Sequence, residues 1–256
     1  MPTSIQFEVD VSRLARRIVP LERFVHCFAA QLSGPQFFPG RDERGFRYDN
    51  PNYRHFCLLR SCRMVSVLNA SITLAKAGFV QEIGVLLRTV IEYSSQVEYV
   101  LLNRDASGEP SGKAATFIAS FFEDDRRTTE DKVKKRTKLN QKDVHDSVGG
   151  ILDDFVSRQD GERTASDLMS HVYVVFSNYV HGRYPESMDL FGGRPGHFHL
   201  AGMRHTPKDG ENIEMIDTFV TTVSNTLIQI AQALDMYRVI DADETLAEWY
   251  RKCVGS

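Results

Sequence analysis

Apolar residues recur at three- and four-residue intervals along most of this chain, and the pattern predicts helix after helix. Over 8–33, Val11, Leu14, Ile18, Leu21, Val25 and Phe28 mark one buried stripe, which Pro20 should kink or split. Residues 34–51, GPQFFPGRDERGFRYDNP, hold three Pro and three Gly and read as a loop. A long helix follows over 52–77, with Leu58, Val65, Leu68, Ile72 and Ala75 inward, and Gly78 suits the left-handed residue just past its end. The next helix, 79–103, starts at once and turns Ile83, Leu87, Val90, Ile91, Val97 and Leu101 inward. So short a connection makes the two an antiparallel hairpin.

Residues 104–112 (RDASGEPSG) interrupt the pattern. Segment 113–137 opens apolar with Ala114, Phe117, Ile118, Phe121 and Phe122. It then runs into EDDRRTTEDKVKKRTK, whose mixed signs suit a solvated helix extension or a mobile connector within 104–140. Residues 141–158 form a moderate helix weakened by Gly149 and Gly150, and 164–181 a better one, with Thr164 as N-cap and Asp167 near the capping-box position. Residues 188–205 carry Gly at 192, 193, 196 and 202, too many for a helix, and His197–Leu200 alternates like a short extended piece. Over 211–240, Ile216, Val220, Val223, Leu227, Ile230, Leu234 and Tyr237 repeat as a heptad seam. At ~1.5 Å per residue that helix would be about 45 Å long and would need a bundle or a second subunit to cover it. Residues 243–253 form a short tail helix carrying Trp249. The expected fold is an all-α antiparallel bundle of about seven or eight helices. It makes one domain over 1–256, with a short irregular or β-like insert near 188–205.

Composition adds exclusions. The net charge of −3 gives no global basic field for nucleic acid. The N-terminus lacks the apolar core of a signal peptide, and no apolar run approaches the roughly 20 residues of a membrane span, so a cytoplasmic protein without membrane contact is expected. Cys57 and Cys62, five apart on a helix, match neither a redox pair nor a zinc knuckle, and the four cysteines read as reduced thiols.

Two segments carry candidate chemistry. On 164–181, His171, Asn178 and His181 share one polar sector of an otherwise apolar helix. That sector either faces solvent, with His181 closing the negative helix end, or lines a cleft where His181 moves a proton. The turn beyond it adds Arg183, Tyr184, Glu186 and Asp189. On 79–103, Arg88, Glu92, Ser95 and Tyr99 share a face, with Arg88 either in a surface ion pair or held by Glu92 to meet an anion. The predicted site therefore joins His181, Arg88 and Glu92 as the reactive set with Asn178, Arg183, Tyr184, Glu186 and Asp189 as ligand contacts. His181, His197, His199 and His205 match no compact metal motif, so neither metal nor cofactor is assigned. The glycine-rich LFGGRPGH lacks the Lys-Ser/Thr of a phosphate loop. Arg41, Arg44, Arg47, Arg54, Arg60 and Arg63, interleaved with Tyr48, Tyr53 and Phe56, form either an RNA-facing mix or a solvated surface.

The run VHGRYPESMDLFGGRPGHFHLAGM, together with LLRTVIEY, resembles an uncharacterised family of bacterial helical proteins, over roughly 60–240. More distantly, the layout is similar to HEPN proteins, all-α dimers that include ribonucleases of toxin and defence systems. Their motif sets four to six residues between an Arg and a His on one helix. His181 would be that His, but Val174, Val175 and Phe176 stand where the Arg belongs. Two functions are therefore expected. One is a helical binding module whose site lies between helices 79–103 and 164–181 and takes a small or anionic ligand or a protein partner. The other is a HEPN-like RNA-binding protein or ribonuclease. Either would be a homodimer joined through 211–240.

Overall fold

Helix α1 (Ser4–Ala29) buries Phe7, Val11, Leu14, Ile18, Leu21, Val25 and Phe28 along a single seam. It is one of the elements of a computed structural model that describes residues 4–39, 45–123 and 165–255. Pro20 does not split it: Ile18 and Leu21, both buried, hold the turns on either side of the ring to the core. The stretch read as a loop contains a small antiparallel ribbon, β1 (Gln36–Phe38) with β2 (Gly45–Arg47). Phe37 sits opposite Phe46 with ring centroids 5.3 Å apart, a cross-strand aromatic pair that the density of Gly and Pro concealed.

Helix α2 (Tyr53–Ala77) is the central element, buried round most of its circumference. Asn52 caps it, accepting from the N–H of Arg54 at 3.0 Å and of His55 at 3.4 Å, while His55 Nδ1 accepts the Asn52 N–H. Its end is a Schellman turn: Phe79 N–H donates to the Leu74 carbonyl, and Gly78 takes φ 82°. Helix α3 (Val80–Leu102) returns antiparallel, as the sequence predicts. At its far end Arg104 donates to the Leu101 carbonyl and, at 2.7 Å, to that of Ala233, tying two helix ends together. The interruption at 105–109 is a turn closed by Asp105, which accepts from the Ser107 N–H at 2.8 Å. Helix α4 (Gly112–Phe122) sets Phe117 and Phe121 edge-on against Phe56. The expected charged extension, the helix over 141–158 and the Thr164 cap lie outside the described residues.

Helix α5 (Ala165–Val180) packs on α3, and its Phe176 meets Phe219 edge-on at 5.0 Å. The one-turn helix α6 (Tyr184–Met188) opens the irregular insert. The insert's extended part is a single bridge between Phe191 and Phe198 rather than a strand over 197–200. It docks on the hairpin turn: Met203 N–H donates to the Gly78 carbonyl at 2.8 Å. Helix α7 (Lys208–Ala233) carries the heptad seam, but only to Ile230. Asp235 adopts φ 53° and completes a second Schellman turn, with Met236 N–H on the Ala231 carbonyl, so Tyr237 leaves the seam for helix α8 (Tyr237–Asp241). An Asp tolerates that left-handed position better than most residues, and without a Gly the stop is invisible to a pattern search. Helix α9 (Glu244–Val254) returns Trp249 to Phe24.

The fold is thus all-α with a minor β element. The α7 seam, expected to need a bundle or a second subunit to cover it, is filled by α1, α2 and α3 of the same chain. The exposed α7 residues, from Glu211 and Glu214 through Thr218, Thr221 and Asn225 to Gln229 and Gln232, are all polar. No helix among the described residues is long and apolar enough to cross a membrane.

Candidate functional site

The α3–α5 crossing is set by a glycine. A Cβ on Gly84 would stand 2.5–2.8 Å from the ring of Tyr179, so only glycine admits that ring and the close approach of the two helices. One turn on, Arg88 enters the interface. Its Nη2 donates to Glu92 Oε1 at 2.7 Å, its Nε donates to Ser177 Oγ at 3.1 Å, and its guanidinium carbon lies 3.5 Å from the Tyr173 ring centroid. The side chain keeps 8% of its accessible surface against 38% for Glu92, so the cation is the buried partner and the carboxylate reaches toward water. Nη1 is buried and has no hydrogen-bond partner among the described residues. A guanidinium fixed at two nitrogens with a third uncommitted is shaped to meet an anion.

A second arginine approaches the same stretch of α3 from α2. The Arg60 guanidinium lies 4.2 Å from the Tyr93 centroid and 4.7 Å from that of Phe121. Burial lowers its pKa, while Tyr93 and Glu92 counteract the shift. Its Nε also lacks a hydrogen-bond partner among the described residues.

The turn after α5 is divided. Gln81 donates to the Glu186 backbone carbonyl, and Lys208 pairs with the Asp189 carboxylate at 3.3 Å, so the turn is docked onto α3 and α7. Burial and the nearby Asp189 raise the Tyr179 phenol. Arg183 and Tyr184 are exposed, Tyr184 to 78%. His181, at the C-terminal end of α5, is also exposed, and its side chain makes no hydrogen bond to a described residue. His171 points to solvent with Val174 and Val175, and Asn178 is half-buried; this sector lies on the side of α5 away from Phe176 and the core. The structure thus unites Arg88 with Glu92, and separately Glu186 with Asp189 on one docked turn. It leaves His181, Arg183 and Tyr184 in water.

Tyr173, Ser177, the half-buried Arg60 and Tyr93 complete the arrangement without having been singled out for it. Tyr173 and Ser177 sit at i and i+4 on α5, a spacing that could have flagged a shared face. The basic region of 41–63 does not form one surface: Arg60 turns inward, Arg54 and Arg63 are exposed, Arg47 donates to the Phe46 carbonyl, and Arg41 and Arg44 lie outside the described residues. His197 and His199 meet ring to ring at 5.1 Å. Among the described residues no group of three or more His, Cys, Asp or Glu could hold a metal. The chain matches no family model, no curated protein and no solved structure.

Proposed function

We propose that the protein is a helical binding module whose α3–α5 interface receives a small anionic ligand on Arg88. The observation that carries this reading is the Arg88 guanidinium, anchored by Glu92 and Ser177 yet left with a buried Nη1 that has no partner among the described residues. Leaving such a donor unmatched costs about 1–3 kcal/mol, which an oxyanion would recover. Arg60 adds positive charge beside Glu92, and Tyr93 and Tyr173 supply flat apolar surfaces for the rest of a ligand. Thermal unfolding in inorganic phosphate, against chloride of equal ionic strength, tests it. At tenfold the dissociation constant the gain is about 1.4 kcal/mol, or roughly 3 °C for a chain of this size. Arg88→Lys keeps the charge but loses the fork, and should lose the shift. An equal shift in the variant, or none in the wild type, refutes the reading.

One placement favours the HEPN-like alternative. Arg88 delivers its guanidinium to Ser177, the residue just after the 174–176 stretch of α5 where the resembled motif would carry its own arginine. In this reading Arg88 stabilises phosphorane charge and His181 moves the proton. A homodimer would then join through α5, whose Val174, Val175 and Val180 are exposed, rather than through α7. The test is RNA cleavage by the wild type beside His181→Ala. Equal cleavage by both, or none by either, removes the ribonuclease.

A further inference from the structure

A cavity of about 430 Å³ opens one turn further along α3, between α3, α5 and α7. Its size falls in the usual range for small-molecule sites. Ile91, Val172, Phe176, Met215 and Phe219 give it largely apolar walls. The hydroxyls of Thr218 and Thr222 are already spent on carbonyls one turn back in α7, at 3.0 and 3.2 Å. Ser94 is likewise engaged, donating to Met64 Sδ and accepting from Thr226. What remains to direct a ligand is Ser95 and Glu98.

Glu98 is the one ionisable residue lining this space among the described residues. The groups facing it carry no charge: Ser94 and Ser95 on its own helix, Val172 and Phe176 on α5, Thr218, Thr222 and the hydrogen-bonding Gln229 on α7. Unlike Arg88, it has no charged partner among the described residues. Lost hydration with no compensating cation pushes the carboxyl up to about 7.

We propose that this cavity binds a small apolar amine in its protonated form, with the ammonium against the Glu98 carboxylate and the hydrocarbon between Phe176 and Phe219. An ammonium supplies the missing counter-charge in a water-poor setting, and the hydrocarbon gains by leaving water. A neutral alcohol of the same shape would fill the space but leave the carboxyl uncompensated. A carboxylate would meet a like charge. The site uses residues other than Arg88 and Arg60, so it stands or falls independently of the anion reading.

Isothermal titration of the full chain with hexylammonium, 1-hexanol and hexanoate near pH 7.5 provides the test. Hexylammonium should bind at least about tenfold more tightly than hexanol. Glu98→Gln should erase that margin while leaving hexanol unchanged, and Ser95→Leu, which fills the cavity, should weaken both. Near pH 6, where Glu98 is largely protonated, binding of the ammonium should release a proton, read from the heats in two buffers of different ionisation enthalpy. The comparison of ligands and the proton release need only the wild type, so a variant that fails to fold leaves the test intact. Hexanol binding as tightly as hexylammonium, a preference for hexanoate, or no heat from any of the three overturns the proposal.

Discussion

Gly78 shows how much one residue can be asked to do. It sits at φ 82°, and a Cβ there would stand 2.6 Å from the backbone nitrogens of both Met203 and Arg204. Gly108 has almost the same φ, 83°, with nothing within 4 Å of its would-be Cβ. The pair separates two costs. Gly108→Ala should lose about 1 kcal/mol of unfolding free energy, the conformational cost alone, whereas Gly78→Ala should lose about 2–4 kcal/mol because the docked insert must also move. Urea denaturation of both variants measures the difference, and equal losses would mean the insert yields freely. Gly78 was legible as a helix stop because its role is local. Its contact with Met203 was not, since nothing near position 78 signals a chain arriving from a distant loop. The same limit applies to Arg88 and Glu98. Arg88 and Glu92 announce themselves at i and i+4, but the α5 partners of Arg88 lie about ninety residues on. Glu98 is hidden in VEYVLL, a run whose apolar character reads only as core.

Helices were legible wherever a single face is buried, as α1 and α7 show. Where a face is mixed, the pattern names no inward side. On α5, Val174 and Val175 are exposed beside His171, so an apolar residue was no guide to the inward side. The α3–α5 pairing instead depends on Gly84 under Tyr179. In an exposed helix Gly→Ala would stabilise by about 1 kcal/mol. Here Gly84→Ala should destabilise by about 1–3 kcal/mol, since the ring has to leave its seat. A double-mutant cycle with Tyr179→Ala checks the cause: removing the ring first should abolish the penalty. Additive effects would place the strain elsewhere.

For the whole molecule, two desolvated groups set opposing pH dependences. Glu98 titrates at about 7 in the fold against an ordinary value of 4.5, so the folded state holds its proton more tightly. Its contribution is therefore complete below about pH 4.5 and is lost as pH rises to about 7. Glu98→Gln should flatten that slope and leave the variant more stable than the wild type near pH 8, by on the order of 1–3 kcal/mol. His55 works the other way: burial lowers its pKa, so its contribution is present above the ordinary histidine value and lost as pH falls below it. Unfolding free energies from pH 4 to 8, for the wild type and Glu98→Gln, resolve the two; identical slopes would mean that Glu98 is hydrated in the fold.

The Met203–Gly78 hydrogen bond also has a kinetic meaning. It fastens the insert to a hairpin that can form from neighbouring residues alone, across a loop on the order of a hundred residues. Closing so long a loop is entropically costly, so the hairpin should be in place before the insert arrives, and the insert should be the first part to detach. The Met203 amide would then exchange its hydrogen through partial opening, well ahead of amides in the middle of α2. Each such opening would unclasp the polar turn carrying Glu186 and Asp189 while leaving the bundle intact.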